Sequence, residues 1–414
     1  MTRNTLALHY GWIIVFAGML AIFAALGLGR FALGMLLPSM GSGLPLSYDQ
    51  MGYVSTGNFV GYLLAVLISG HGVRRLGSRR IIIAGLLLSG CSMLLVGTVD
   101  SFPAVLFLYF LTGIGSGATN IPIMGLVSHW FYGNKRGKAA GLMVIGSGFA
   151  IMFSGLLIPS INLYFGDQGW RISWWILGLI TLVITLICAL LLKDEPSELG
   201  LSPVGKAPPP RGQGPEAGDR LHLDSGPLLH LGLIYFLFGF TYVIFATFIV
   251  TTLVAEHGMS ESSAGRVWFW VGAFSLFSGP AFGALSDRFG RANGLMLVFA
   301  LQGTAYLLIA LPLSLEFVYL SILLFGICAW SIPSIMAAAV GDYLGPSRAA
   351  AAFGTITLFF AVGQITGPAL AGLMAERSGS FTSAYLLATA LAALAMLLTR
   401  ALKSVRGAHP AGPR

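Results

Sequence analysis

Apolar runs of bilayer-spanning length, separated by short gaps marked with Pro, Gly or charge, repeat along the whole chain. Twelve can be drawn: 11–38, 48–70, 81–99, 103–131, 139–163, 171–192, 228–254, 264–285, 292–312, 316–343, 350–373 and 381–402. About 20 apolar residues cross the hydrocarbon core as a helix, and a helix satisfies its own backbone hydrogen bonds in lipid. The pattern therefore predicts an all-α polytopic membrane protein with twelve transmembrane helices. The first run is about twice the 7–15 apolar residues of a signal peptide, so it is expected to be a full span and not a cleaved leader.

Composition agrees: 56% of the 414 residues are hydrophobic and 9% charged, against about 25% charged in an ordinary soluble protein. Mean hydropathy is +0.84. The net charge of +8 does not point to nucleic acid, because its distribution follows the spans. Nineteen of the 23 Lys and Arg fall on one side of the membrane, three (Arg171, Arg266, Arg377) on the other, and Arg30 lies within the first span. By the positive-inside rule the rich side is cytoplasmic, and an even number of spans places both termini there. The expected location is a cell membrane of the bacterial inner-membrane kind. Cys91, Cys188 and Cys328 sit in apolar spans without metal-ligand spacing. There is no phosphate-cradling glycine loop ending in Lys-Ser/Thr and no Ser/His/Asp set at one depth. No enzyme, cofactor or metal is expected.

Between the sixth and seventh runs the chain changes character. Residues 193–226 hold Pro196, Pro203, Pro208, Pro209, Pro210 and Pro215 and six of the fifteen acidic residues. Such a segment reads as an irregular, flexible cytoplasmic linker between two units, 1–192 and 227–414. The units are related: Gly52, Gly70, Gly77 and Gly113 recur 213 residues later as Gly265, Gly283, Gly290 and Gly326. Six spans per unit give both copies the same orientation, the parallel-repeat arrangement in which two bundles rock around a midplane site.

Gly283-x-x-x-Asp287-Arg288-x-Gly290-Arg291 after the eighth span resembles the signature loop of the major facilitator superfamily. A weaker copy follows the second span as Gly70-x-x-x-Arg74-Arg75-x-Gly77, with Arg74 in the aspartate position. The resemblance implies two pseudo-symmetric six-helix bundles, alternating access, and a cytoplasmic gating role for these residues. Their glycines are expected to let helices approach closely. Gly11-Trp12 with Arg30 nineteen residues after the glycine is similar to the first span of monocarboxylate porters, where a lysine matches. Trp130-Phe131-x-x-x-x-Arg136-x-x-Ala139-x-Gly141 and Gly169-Trp170-Arg171-x-Ser173 resemble that branch and the oxalate/formate exchangers. Gly29-Arg30-Phe31 and Leu36-Leu37-Pro38 also resemble poorly characterised bacterial permeases. The porters place a charge mid-way along span eight; Val267 to Gly283 has none, so that route of proton coupling does not carry over. Most such transporters act as monomers.

Arg30 is the residue on which function turns. A guanidinium in a span costs about 2.5–3.5 kcal/mol on insertion scales, and it cannot lose its proton. All fifteen acidic residues fall in loops or near span ends. A carboxylate on a small organic anion, most simply a monocarboxylate, would supply the missing charge with bidentate geometry; helix carbonyls, water or snorkelling to the interface are the alternatives. Asn58, Asn120, Tyr242, Trp330 and Gln364 lie at comparable depth and are candidate lining residues, although each also fits interhelical packing. Phe359, Phe360, Trp268 and Trp270 read as packing. His129, His230 and Asp342, near cytoplasmic span ends, are the candidates for proton coupling; symport with H+ is one option. An exporter of drugs or sugars, or a membrane sensor, are the competing readings.

Overall fold

The computed structural model describes residues 9–205, 225–345 and 348–407. Within them twelve helical spans follow one another. They are α1 Tyr10–Gly43, α2 Tyr48–Leu76, α3 Ser78–Val96, α4 Phe102–Trp130, α5 Gly133–Phe165 and α6 Gly169–Leu191, then α7 Ser225–Ala255, α8 Glu261–Phe289, α9 Arg291–Ala310, α10 Leu315–Leu344, α11 Ala349–Ser378 and α12 Thr382–Gly407. Helices α5 and α6 arise from one apolar stretch that folds back at Gly166–Gln168, where Gly166 takes a φ of +55° that a side chain would resist. Several helices overrun the apolar runs that mark them. Helix α2 continues through Arg74 and Arg75, and α8 through Asp287 and Arg288; arginine is a good helix former once outside the oil.

The spans form two six-helix halves, α1–α6 and α7–α12. Inside each half small residues let backbones touch, which is how helices associate where lipid is as apolar as leucine. A Cβ on Gly113 of α4 would lie 2.0 Å from the Asn58 carbonyl of α2, and one on Gly363 of α11 would lie 2.3 Å from the Phe236 carbonyl of α7.

The halves meet chiefly along two helix pairs, α2 with α11 and α5 with α8, with α1 also against α7, where a Cβ on Gly34 would lie 2.8 Å from the Ala246 carbonyl. The 213-residue offset reappears in the two main pairs. A Cβ on Gly52 would lie 2.4 Å from the Pro368 carbonyl, and one on Gly265 would lie 2.3 Å from the Gly155 carbonyl. Adding the offset to Gly52 and Gly155 gives Gly265 and Pro368, so the two close approaches are symmetry mates. Four hydrogen bonds join the halves among the described residues. Two end on carboxylates of α8 and α11: Asn162 Nδ2 donates to Glu261 (2.6 Å) and the Tyr48 amide to Glu376 (2.8 Å). The others are Thr56 Oγ1 to the Ile365 carbonyl (2.8 Å) and Ser55 with Thr247 (3.3 Å). All four lie on the side of Arg30 away from the arginine-rich end. Toward the arginine-rich end the same helix pairs part: a Cβ at Gly70, Gly141, Gly283 or Gly354 would meet nothing within 4 Å. The halves are sealed at one end and open at the other.

This openness corrects the expected role of Gly70 and Gly283, which face space here and make no close helix approach. Conformation is what demands glycine at Gly77 and Gly290, whose φ values are +84° and +93°. In the second loop Arg291 pairs with Asp287 and with Asp342 (3.1 Å) and donates to Ser286 Oγ (2.8 Å). The first loop has Arg74 in place of the aspartate, and the carboxylate there comes instead from beyond α6. Asp194 Oδ1 accepts the Arg79 amide at 2.7 Å, closing the first turn of α3.

The start of the linker is mostly irregular, as its composition suggests, but it is tied down and not free. Val204 donates to the Trp130 carbonyl and accepts from the Tyr132 amide, both at 2.9 Å, and Trp130 Nε1 donates to the Lys193 carbonyl (3.0 Å). Residues 206–224 of the proposed linker lie outside the described residues. Asp194→Ala is expected to lower stability by about 1 kcal/mol, the usual worth of a lost helix N-terminal acceptor, read as a lower midpoint in thermal unfolding with unaltered substrate affinity.

Candidate functional site

Arg30 does not stand on a plain α-helix. Phe23–Phe31 of α1 is wound as a π-helix, a rare geometry that concentrates at functional sites. Its carbonyls receive side-chain donors from neighbouring helices: Ser116 Oγ to Ala25 (2.6 Å), Asn58 Nδ2 to Gly29 (3.3 Å) and Tyr109 Oη to Arg30 (3.1 Å). Gly27 lets this wide turn press on α5, where a Cβ would come within 2.0 Å of Ala150 Cβ. Counted along α1, Arg30 lies about 5 Å beyond the helix midpoint, on the sealed side.

No carboxylate pairs with Arg30 among the described residues. Its guanidinium carbon lies 4.6 Å from the Phe59 ring centre and 4.1 Å from that of Tyr62. Nε donates to Asn58 Oδ1 over 3.4 Å, and Nη2 is buried without a partner. Desolvated cation–π contacts contribute about 2 kcal/mol each, comparable with the insertion cost of the charge. The two rings therefore stabilise Arg30 in the span by stacking, while its in-plane donors stay short of acceptors.

Of the lining candidates, Asn58 touches Arg30 directly. Asn120 donates to Tyr62 Oη (2.7 Å) and so supports the ring beside Arg30. In the second half Gln364 is buried and donates to Tyr242 Oη, bracing that tyrosine from α11. Tyr242 packs edge-on to Trp330 (ring centres 5.6 Å apart), and Trp330 packs on Phe31, next to Arg30, at 5.0 Å. Trp330 stands at a break in α10, whose helix stops at Cys328 and resumes at Ser331. Ser278 Oγ accepts the Trp330 amide at 3.2 Å.

Arg30, Asn58, Asn120, Tyr242 and Trp330 thus converge on one region, with Gln364 in support. The proton-coupling candidates do not join them. Asp342 pairs with Arg291 about 18 Å along α10 from Trp330. His230 is tied to the Leu398 carbonyl at 2.7 Å, and His129 is exposed on the last turn of α4. Sequence reading missed Phe59 and Tyr62, although Tyr62 follows Asn58 by four residues and so shares its helix face. It also set Phe360 aside as packing, whereas this partly exposed ring stacks on Tyr235 (4.6 Å) and Tyr242 (5.9 Å) beside the site.

On the sealed side of Arg30, Leu33, Gly34, Ser55, Val243, Ala246 and Thr247 enclose a cavity with room for about one water. Access to Arg30 is from the arginine-rich end.

Two six-helix repeats, closed on one side of a half-buried cation and open on the other, define a membrane transporter with the major facilitator fold. The chain belongs to the major facilitator family described as "Uncharacterised MFS-type transporter YbfB", whose model matches residues 22–400. Its relatives include the hexuronate transporter of Bacillus subtilis (24% identical, covering 93% of each chain) and the 3-(3-hydroxy-phenyl)propionate transporter of Escherichia coli (24%, covering 84% of this chain and 83% of that one). Human monocarboxylate transporter 2 is 23% identical over 91% of this chain and 82% of its own. Among solved structures, a bacterial homologue of the lysosomal transporter Spinster in an inward-facing, unoccupied conformation superposes with a TM-score of 0.74 (17% identical, covering 96% of this chain and 98% of that one). The human organic anion transporter MFSD10 superposes at 0.65 (20% identical, covering 94% and 99%).

Proposed function

We propose that the protein carries a small organic anion across a cell membrane by alternating access, with Arg30 as the ligand of the anion's carboxylate. The observation that carries this reading is a guanidinium held near the middle of its span with no carboxylate partner among the described residues and a buried, unsatisfied Nη2. Three relatives transport molecules named as carboxylic acids. The arginine-rich end is the cytoplasmic one under the positive-inside rule, so the open vestibule faces the cytoplasm and both termini lie there. Asn58 and Tyr62 orient the guanidinium, Asn120 positions Tyr62, and Gln364 positions Tyr242. No carboxylate or histidine is described beside Arg30, and a carboxylate held by Arg30 stays ionised, so the site offers no group to carry a co-transported proton.

Uptake into proteoliposomes tests this. A panel of carboxylic acids, each paired with its neutral amide, should show uptake of acids and exclusion of amides. The response of uptake to an inward proton gradient should be the same in wild type, His129→Ala and His230→Ala. Equal uptake of acids and amides would remove Arg30 from the substrate site.

A further inference from the structure

We infer that the transported acid has an aromatic body, and that Trp330 is the residue that selects for it; this rests on the reading of Arg30 as carboxylate ligand. The two halves present opposite chemistry to the space between them. The 213-residue offset maps Arg30, Asn58 and Asn120 onto Val243, Val271 and Pro333, so the polar groups of the first half have apolar counterparts in the second. A ligand with one charged end fits the first wall. Its remainder meets the second, which is built of rings.

Those rings are ordered. Tyr242 and Phe360 lie within 6° of parallel, Tyr235 and Phe360 within 17°, and Trp330 stands edge-on to Tyr242 while touching Phe31 from α1. Tyr235 and Tyr242 are buried, whereas Phe31, Trp330 and Phe360 are partly exposed. The buried rings back the exposed ones, which remain available to a planar guest in the offset or edge-on geometries that aromatic pairs prefer. A short aliphatic acid leaves this wall uncovered. A sugar acid brings several hydroxyls to an apolar wall, where burying each without a partner costs free energy.

One polar atom in the wall is itself unsatisfied. Trp330 Nε1 is buried without an acceptor, while its backbone amide is held by Ser278 at the break in α10. That N–H is closed off by the protein, so a guest meets the exposed part of the Trp330 ring. The acid that fits best is therefore an arylalkanoate.

Equilibrium binding to the purified protein in lipid nanodiscs tests this, with phenylacetate, 4-hydroxyphenylacetate, propionate, glucuronate and phenylacetamide as probes. Both aryl acids should bind at least tenfold more tightly than propionate or glucuronate, and phenylacetamide should not bind. Trp330→Ala should erase the aryl preference. Trp330→Phe, which keeps a ring and guards against loss of folding, should retain the preference for aryl over aliphatic acids. Propionate or glucuronate binding as tightly as phenylacetate, or an aryl preference untouched by Trp330→Ala, overturns the inference and leaves Arg30 in place. Amide binding as tight as acid binding, or no acid binding at all, overturns both.

Discussion

Arg30→Ala is expected to abolish uptake of the acid and to leave the protein folded. The two outcomes follow from different parts of the same geometry. Removing one partner of a buried charge pair costs about 2–5 kcal/mol, which at 1.4 kcal/mol per decade is a loss of affinity between about thirtyfold and several thousandfold. The fold loses little by comparison. Arg30 makes one long side-chain hydrogen bond and two stacking contacts, and removing it also removes the cost of inserting a charge. Thermal unfolding should stay within a few degrees of wild type. Arg30→Lys keeps the charge and its attraction to Phe59 and Tyr62 but lacks the planar fork, so an intermediate loss of roughly tenfold is expected. Wild-type uptake by Arg30→Ala would make the residue purely structural.

Gly265→Val should hold the sealed end apart. The added atoms fall 2.3 Å from the Gly155 carbonyl oxygen and 2.5 Å from the Pro159 ring, and neither can swing away as a flexible side chain would. Overpacking of this kind costs about 1–3 kcal/mol. Because the contact joins the halves, that cost falls on the sealed state and not on the core of either bundle. A penalty of about 2 kcal/mol shifts the ratio of sealed to unsealed molecules roughly thirtyfold. The readout is a cysteine placed at the buried gate residue Ser55, in a background where exposed Cys91 is replaced by serine. An impermeant thiol reagent should reach it from the sealed side many times faster in the Gly265→Val variant, and turnover should fall. Gly52→Ala, against the Pro368 carbonyl at 2.4 Å, should act in the same direction. An unchanged labelling rate in both variants would mean that the seam does not control closure.

Much of the architecture was readable from the chain because bilayer thickness forces long apolar runs. The repeat was readable because its glycines keep one offset. Arg30 and Asn58 stood out since each is costly in oil. What escaped notice has physical reasons. The π-wound turn is stabilised by Ser116, Asn58 and Tyr109 on other helices, and nothing local to Phe23–Phe31 announces it. The break at Trp330 did have a local sign in Pro333, whose missing N–H leaves the Ala329 carbonyl without a helical donor, but the bond from the Trp330 amide to Ser278 of α8 did not. Tyr62 and Phe360 are ordinary membrane residues by composition, and only the packed geometry places them beside Arg30. The fixed start of the linker was hidden by its prolines: a proline-rich segment reads as loose, yet Asp194 and Val204 bind it to α3 and α4.

The glycine seam bears on how the protein answers to its surroundings. Backbone pressed on backbone carries no net charge, and the two glutamates that assist it meet neutral amide donors. Dissolved ions weaken attraction between opposite charges but have little hold on contacts of this sort. Changing the salinity of the medium is therefore a poor lever for prying that end apart, whereas the exposed Arg291–Asp342 contact at the other end loosens as electrolyte is added.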